Sequence, residues 1–131
     1  MTEQEGAPAI GSMVGLDLTV TNADEIRDFY AAVIGWSDAP VDMGEYNDYM
    51  MMEPDPGIPG AGICHLRGVN AEQLSAQWIP YMQVANLTAS VNKSLELGGS
   101  IVSDRRAPGN DYPFVVIRDP SGAVIALMGP E

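Results

Sequence analysis

The fold of this chain is decided by the stretch Val20-Thr21-Asn22, which recurs 64 residues later as Val84-Ala85-Asn86. The same offset relates two further pairs: Ile34-Gly35 with Gly98-Gly99, and Asp55-Pro56 with Asp119-Pro120. A constant offset across half of the chain indicates an internal duplication of one structural unit. Each position in one half therefore predicts an equivalent position in the other half.

The first half begins as a strand followed by an amphipathic helix. Residues 13–21 mix apolar and β-branched residues over the length of a strand. Asn22 is expected to cap the helix, with Glu25 completing a capping box, and Gly35 to end it. Between them, apolar residues recur at helical spacing and form one face: Ile26, Phe29, Tyr30, Val33 and Ile34.

The rest of the chain predicts short strands. In the first half we expect strands at 49–52 and 62–66, with Tyr46 beginning or flanking an earlier one. The second half repeats the pattern with a strand at 78–85, a helix after Asn86 that carries Leu87, Val91 and Leu95, and strands at 101–102, 114–118 and 123–128. Asp119-Pro-Ser-Gly122 predicts the turn between the last two strands. Each half therefore reads β-α-β-β-β.

Length and composition indicate one domain. With 131 residues, 46% of them hydrophobic, the chain suffices for one compact core, so residues 1–131 are predicted as a single domain. We expect module one at about 13–66, a polar linker at 67–77, module two at about 78–129, and a loose arm at 1–12. No segment reads as a membrane span or a secretory signal. Because the single cysteine allows no internal disulfide and no cysteine-built zinc site, we expect a cytoplasmic protein.

The net charge of the chain argues against a nucleic-acid partner, and the uneven distribution of its acidic residues has two explanations. The 18 acidic and 6 basic side chains give a formal net charge of −12, which argues against a nucleic-acid surface. Residues 1–66 hold twelve acids and Arg27 as their one cation. A solvated, solubilising surface explains this asymmetry, and an attraction for cationic ligands is the sharper alternative.

Three ordered motifs carry a family resemblance: FYAAVIGW at 29–36, PGAGICHL at 59–66 and DPSGAVIAL at 119–127. Together with the paired β-α-β-β-β modules, they resemble the vicinal oxygen chelate superfamily, which includes glyoxalase I, bleomycin-resistance proteins and extradiol dioxygenases. The resemblance covers about residues 13–129. It implies an α+β fold in which two βαβββ modules form a partly open curved sheet around a cleft, and it implies a homodimer.

The resemblance also implies four metal-ligand positions, two from each module. Counting back from the Val-x-Asn motifs places the first-strand positions at Gly15 and Ile79, and the DPxGxxxEL pattern places the final one at Ala126. Matching PGAGICHL to PSGAVIAL, with two extra residues between Asp55 and Gly60, places the fourth at Cys64. We therefore expect these metal positions to be vacant and no cofactor to be used. A shift of one residue in this match would instead turn His65 toward the cleft.

Strand alternation predicts the lining of the implied cleft. Asp17 and Thr19 share the face of Gly15, while Tyr81 and Gln83 share that of Ile79. The full predicted lining is Asp17, Thr19, Cys64, Trp78, Tyr81, Gln83, Val124 and Met128. Asp17 is open to four readings: a solvated or hydrogen-bonded acid, a cation-binding group, a base, or half of a thin metal site with an inward His65. Cys64 and the Met50-Met51-Met52 run are interpreted first as core packing.

Three functional hypotheses follow. The leading one is a small-molecule-binding protein that resembles the bleomycin-resistance branch and uses no metal; its ligand is an organic molecule, with a cationic one as the sharper expectation. The second is an enzyme, a glyoxalase-like lyase, isomerase or dioxygenase, whose displaced ligands include Asp17 and His65. The third is an accessory module whose acidic first half meets a protein partner. No nucleic-acid or membrane partner is expected.

Overall fold

The computed structural model describes residues 8–55, 57–67, 74–106 and 112–131. Its contacts divide into an N-terminal unit, Leu16–Trp78, and a C-terminal unit, Ile79–Glu131 together with the residues before Leu16. The elements, in chain order, are β1 (Met13–Val20), α1 (Ala23–Ile34), β2 (Ser37–Asp42), β3 (Asn47–Met52), β4 (Pro59–His65), β5 (Trp78–Gln83), α2 (Leu87–Glu96), β6 (Ser100–Arg105), β7 (Phe114–Arg118) and β8 (Val124–Met128).

In the N-terminal unit the strands hydrogen-bond in the order β2-β3-β4-β1. β1 and β4 run parallel, whereas β2, β3 and β4 form an antiparallel meander. One face of these strands packs with α1 around a core of Leu18, Val20, Ala23, Tyr49, Met51 and Ile63. Because these residues alternate along each strand, the residues between them lie on the opposite sheet face.

The C-terminal unit repeats this plan. Its strands follow the order β5-β8-β7-β6, with β5 and β8 parallel and the others antiparallel. Its core contains Leu87, Val91, Val115 and Ile117, with Val84, Ile125 and Leu127 packed against it. The predicted α+β class and the duplicated β-α-β-β-β unit are therefore confirmed. Both helices begin directly after the repeated asparagine, so the 64-residue offset is kept in three dimensions.

One strand of the first half lies where the sequence did not indicate it. β2 occupies Ser37–Asp42, a stretch that carries Pro40 and two aspartates, and Tyr46 belongs to the connection before β3. Among the described strands, β2 pairs only with β3 and is the outer strand of its unit. An outer strand tolerates proline and charge because one of its edges needs no hydrogen-bond partner, and the sequence then lacks the usual alternation.

The apolar face of α1 is only partly buried. Ile26 and Tyr30 pack against the core as predicted, but Phe29 and Val33 are 54% and 63% exposed. The predicted stripe spans more of the helix circumference than the sheet covers, so its outer edge remains at the surface. In α2, likewise, Leu87 and Val91 are buried whereas Leu95 is exposed.

The two repeated asparagines act differently at the helix starts. The Asn86 side chain accepts a hydrogen bond from the backbone N–H of Ala89 at 2.7 Å and thereby caps α2. Asn22 makes no such bond; its Nδ2 donates to Glu25 Oε1 at 3.1 Å. The backbone explains the difference, because Asn86 is extended, as a capping residue requires, and Asn22, at φ −117° and ψ 51°, is not. The predicted capping box therefore does not form.

Smaller predictions had mixed outcomes. Gly35 ends α1 in the left-handed conformation, as expected. The methionine run divides by alternation, with Met51 buried in the core and Met50 exposed on the other face. The predicted strand at 78–85 is shorter and ends at Gln83. Most of the predicted linker and arm, residues 68–73 and 1–7, lie outside the described residues.

Candidate functional site

The sheet face of the N-terminal unit that lies opposite α1 carries Asp17 and Thr19. Leu18 and Val20 point into the core beneath the helix, so their neighbours on β1 point the other way. Gly62 on β4 is the register partner of Asp17, and a Cβ added to it would lie 3.2 Å from Asp17 Cβ. Glycine at this position therefore leaves room beside the Asp17 side chain.

Cys64 lies on the same face, two residues after Gly62 and opposite Thr19. β3 adds Asp48 and Met50, because Tyr49 and Met51 occupy its core side. We call Asp17, Thr19, Asp48, Met50 and Cys64 the acidic face. The structure thus brings together the three residues that alternation predicted for this half, Asp17, Thr19 and Cys64, and adds Asp48 to them.

Asp48 is the most buried charged group described in the structure, with 6% of its surface exposed. Its Oδ1 accepts a hydrogen bond from the backbone N–H of His65 at 2.8 Å and lies 3.4 Å from His65 Nδ1. It also accepts a hydrogen bond from the Cys64 thiol. A buried polar group needs hydrogen-bond partners, and Asp48 receives them from the end of β4.

The Cys64 thiol responds to this environment. Burial is the largest cause that raises its pKa, followed by the negative charges of Asp17 and Asp48 and the hydrogen bond to Asp48; together they raise the pKa to about 12. Each of these influences disfavours the thiolate. Cys64 is therefore a neutral thiol at physiological pH, with burial as the main cause and the two carboxylates as further causes.

His65 lies on the helix side of the sheet, next in sequence to Cys64 but on the opposite face. Its Nε2 is 3.6 Å from Asp24 Oδ1 at the start of α1, and its ring meets Tyr46 edge to face at a centroid distance of 5.1 Å. Asp24 Oδ1 also accepts a hydrogen bond from the Tyr49 hydroxyl at 2.5 Å. The direction of His65, left open by the sequence, is thus away from Asp17.

In the C-terminal unit, the face opposite α2 is mostly apolar. Tyr81 and Gln83 on β5 are register partners of Ala126 and Met128 on β8. The Tyr81 ring packs against Phe114 at a centroid distance of 5.3 Å. A Cβ added to Gly15 would lie 3.5 Å from Tyr81 Cβ, an ordinary contact. By alternation Ile79 and Val124 share this face, so the predicted residues of this half lie on one side of their strands.

Trp78 differs from its prediction as a cleft residue. Its Nε1 donates a hydrogen bond to the Tyr30 hydroxyl at 3.1 Å, and its ring packs against Tyr30 and Trp36. These contacts place Trp78 with the helix-side core of the N-terminal unit. The physical reason is strand alternation, since Trp78 directly precedes Ile79 and must point to the other face.

Strand register also changes the match between the modules. Asp17 pairs with Gly62 and its equivalent Tyr81 pairs with Ala126, so Gly62 is the structural equivalent of Ala126 and Cys64 that of Met128. Structurally equivalent residues of the two halves are therefore 64 positions apart throughout. The sequence match that paired Cys64 with Ala126 used an offset of 62 residues. Because the difference is two residues, Cys64 keeps the same sheet face.

At three of the four metal-ligand positions expected from the resemblance, the side chain has no donor atom. Gly15, Ile79 and Ala126 have no side-chain donor atom, and neither has Gly62. Within the four described ranges, no group of three or more His, Cys, Asp and Glu side chains is arranged to hold a metal ion. Asp17 and Cys64 lie on the face opposite the His65 ring, whereas Asp48 Oδ1 lies 3.4 Å from His65 Nδ1.

Sequence reasoning missed Asp48. The signal was present in Asn47-Asp-Tyr-Met-Met-Met52, where an inward Tyr49 and Met51 place Asp48 on the face of Met50. That alternation could not be used because the strand boundaries were set around the apolar run alone. The hydrogen bond to His65 depends on the register between β3 and β4, which local sequence does not carry.

Comparison with known proteins now identifies the family. The model of the glyoxalase-like domain matches residues 13–128. The chain belongs to this family, and with it to the vicinal oxygen chelate superfamily. Two curated relatives, the putative glyoxylase CFP32 of Mycobacterium bovis and of Mycobacterium tuberculosis, are each 20% identical over 132 residues. The match covers 92% of this chain but only 44% of the length of each relative.

Solved structures show the same fold. Methylmalonyl-CoA epimerase from Mycobacterium tuberculosis is 18% identical with a TM-score of 0.56, and the match covers 98% of this chain and 96% of the epimerase. The hypothetical protein BH1468 from Bacillus halodurans is 10% identical with a TM-score of 0.58, over 92% of this chain and 95% of that protein. Among the described residues of this glyoxalase-like protein, no helix is long and apolar enough to cross a bilayer.

Proposed function

We propose that this glyoxalase-like protein binds a small organic molecule with a positively charged group on the acidic face, and that it does so without a metal ion. The observation that carries the proposal is the pair of carboxylates, Asp17 and Asp48, that both act on the Cys64 thiol. A cationic group on this face would be attracted by two like charges. Binding without a metal is the behaviour of the bleomycin-resistance branch that the sequence resembles.

The other groups on the acidic face suit an organic cation. Thr19 offers a hydroxyl that donates and accepts hydrogen bonds, and Met50 offers a polarizable thioether for an apolar portion of the ligand. None of the described strand residues on this side of the unit is Lys or Arg. Small-molecule sites are usually composed of a few polar groups beside apolar ones.

The positions of the candidate ligands argue against the displaced metal site. The alternative enzyme hypothesis combined Asp17 with His65 as displaced ligands. These two side chains lie on opposite faces of one sheet, so the alternative needs donors from elsewhere. Cytoplasmic location and homodimer formation remain part of the proposal.

Calorimetry with small ligands tests the proposal. A panel of organic primary and quaternary ammonium compounds is titrated into the protein beside carboxylates of similar size. We expect selective binding of cations that weakens several-fold in Asp17→Asn and in Asp48→Asn, since one charge is removed from the site. Asp38→Asn is the matched control, because it also removes one negative charge but from β2. Asp38 pairs with the core residue Met51 and therefore does not belong to the acidic face. The affinity of this variant should be unchanged.

Two results would overturn the proposal. Equal binding of cations and carboxylates would show that the acidic face does not select its ligand by charge. Stoichiometric nickel, manganese, iron or zinc that survives dialysis, measured by elemental analysis, would defeat metal-free binding and restore the enzyme hypothesis.

A further inference from the structure

Helix α1 carries an apolar stripe that its own unit does not cover. Phe29 and Val33 are four residues apart and therefore lie one above the other on the helix surface, and more than half of each is exposed. Ile34, at the end of the same helix, is 52% exposed. Single exposed apolar residues are ordinary, but Phe29 and Val33 are exposed neighbours on one helix face.

The duplication provides an internal comparison for Phe29. Its equivalent, 64 residues later, is Lys93, an exposed side chain that forms an ion pair with Glu96 at 2.9 Å. The same helix position in the same fold is therefore compatible with a charged, solvated residue. Phe29 contacts the Tyr30 ring edge to face, but the core beneath is built from other residues. The scaffold does not require an aromatic side chain at this position.

The surroundings of the stripe are negatively charged. Glu25 lies four residues before Phe29 and continues the stripe, and the exposed Asp24 precedes it on the same helix. The one basic residue of α1, Arg27, is paired with Asp28 at 2.9 Å. The last turn of α1 has no basic residue, so the partial negative charge of its carbonyl end is not offset there. Over its whole sequence, the N-terminal unit holds eleven acidic residues and two basic ones.

We propose that the stripe Glu25, Phe29 and Val33 is a docking surface for a basic amphipathic segment of another protein. Apolar side chains of that segment pack against Phe29 and Val33, and its Lys or Arg side chains face Glu25 and the carbonyl end of α1. Charge complementarity selects this occupant, because a basic segment places its positive side chains against the acidic residues beside the stripe.

The expected complex is weak and sensitive to salt. A stripe of two or three side chains buries less area than a stable protein interface, so affinity depends on the ionic contacts as well. Those contacts are exposed at the rim and are screened as the ionic strength rises. This surface is on the helix side of the N-terminal unit and is distinct from the acidic face.

The test uses a synthetic Leu/Lys amphipathic helical peptide with a fluorescent label, and a Leu/Glu peptide of equal length. Anisotropy should show that the protein binds the Leu/Lys peptide and not the Leu/Glu peptide. Phe29→Ser and Val33→Ser should each weaken binding at least several-fold, although neither changes the charge. Leu97→Ser is the matched control, since Leu97 is the equivalent of Val33 and is 68% exposed; it should bind as the unchanged protein does.

Circular dichroism of each variant verifies that the fold is kept, so that a loss of binding is a loss of contact. The proposal is overturned if Phe29→Ser and Val33→Ser fold normally and bind the peptide unchanged, or if Leu97→Ser weakens binding equally. The proposal is also overturned if sedimentation shows that the unchanged protein is a dimer and that the Phe29→Ser and Val33→Ser variants are monomers. The stripe would then contact a second copy of the chain.

Discussion

Asp48 Oδ1 accepts the backbone N–H of His65 at 2.8 Å and so joins the start of β3 to the end of β4. The bond is made by a charged acceptor in a buried position, where a lost partner is more costly than at the surface. Asp48 therefore serves the fold and the proposed site together.

Replacing Asp48 with alanine should destabilise the protein by about 1–3 kcal/mol, because a partly buried N–H loses its acceptor. Asp42→Ala is the control: Asp42 Oδ1 accepts the N–H of Gly44 at the same 2.8 Å, but in an exposed turn. Its cost should stay within about 0.5 kcal/mol. Urea unfolding of both variants measures the difference, and equal costs would contradict the structural role of Asp48.

The stability of the protein should fall as the pH rises above 9, in part because of Cys64. In the unfolded chain the thiol has its ordinary pKa of 9.0, whereas in the folded protein the pKa is raised to about 12. Between these values the unfolded state has released a proton that the folded state retains, so unfolding is favoured by up to about 1.4 kcal/mol per pH unit. Denaturant unfolding from pH 8 to 11 should show a steeper decline than in Cys64→Ala. Parallel curves for the two proteins would show that the thiol pKa is not raised.

Alkylation of Cys64 by iodoacetamide should be slow at pH 8 and faster in Asp17→Asn. Removing a nearby negative charge lowers the thiol pKa and increases the thiolate fraction. Asp38→Asn again serves as the control with an equal change in charge. A rate that is equal in all three proteins would mean that Asp17 does not act on the thiol.

The two repeated asparagines should differ in their effect on stability. Asn86→Ala removes the side-chain acceptor of the Ala89 N–H and should cost about 1 kcal/mol. Asn22→Ala removes no capping bond, so its effect should be smaller. Thermal unfolding of the two variants, compared at equal protein concentration, checks this order, and a larger cost for Asn22→Ala would reverse the interpretation of the caps.

Replacement by alanine should change the stability of the protein differently at two glycines of the C-terminal unit, Gly129 and Gly15. A Cβ on Gly129 would meet the backbone carbonyl oxygen of Val84, next to the hydrogen bond from the Val84 N–H to Met128, so Gly129→Ala should cost about 1–3 kcal/mol. A Cβ on Gly15 meets only ordinary contacts with Tyr81, and Gly15→Ala should be nearly neutral. Urea midpoints decide between these outcomes; a destabilised Gly15→Ala would mean that close approach at that position is structural.

The sequence predicted the duplicated α+β fold because the repeat and the strand alternation are local patterns that both halves share. It did not predict β2, since an outer strand with Pro40 lacks alternation, nor the exposure of Phe29 and Val33, which depends on how much of α1 the sheet covers. Asp17, Thr19 and Cys64 could be placed on one face by counting in twos. Asp48 and the equivalence of Gly62 with Ala126 required the register between strands, which arises from long-range pairing.

The parallel pairing of β1 with β4 has a consequence for how the chain is made. Asp17 finds its register partner Gly62 only after 45 further residues have been synthesised, and β4 also separates β3 from β1 in the sheet. A nascent chain that ends before Pro59 therefore has no strand between those two, and Tyr49 and Met51 remain without the rest of their core. We expect the emerging N-terminal half to depend on chaperones until His65 has left the ribosome.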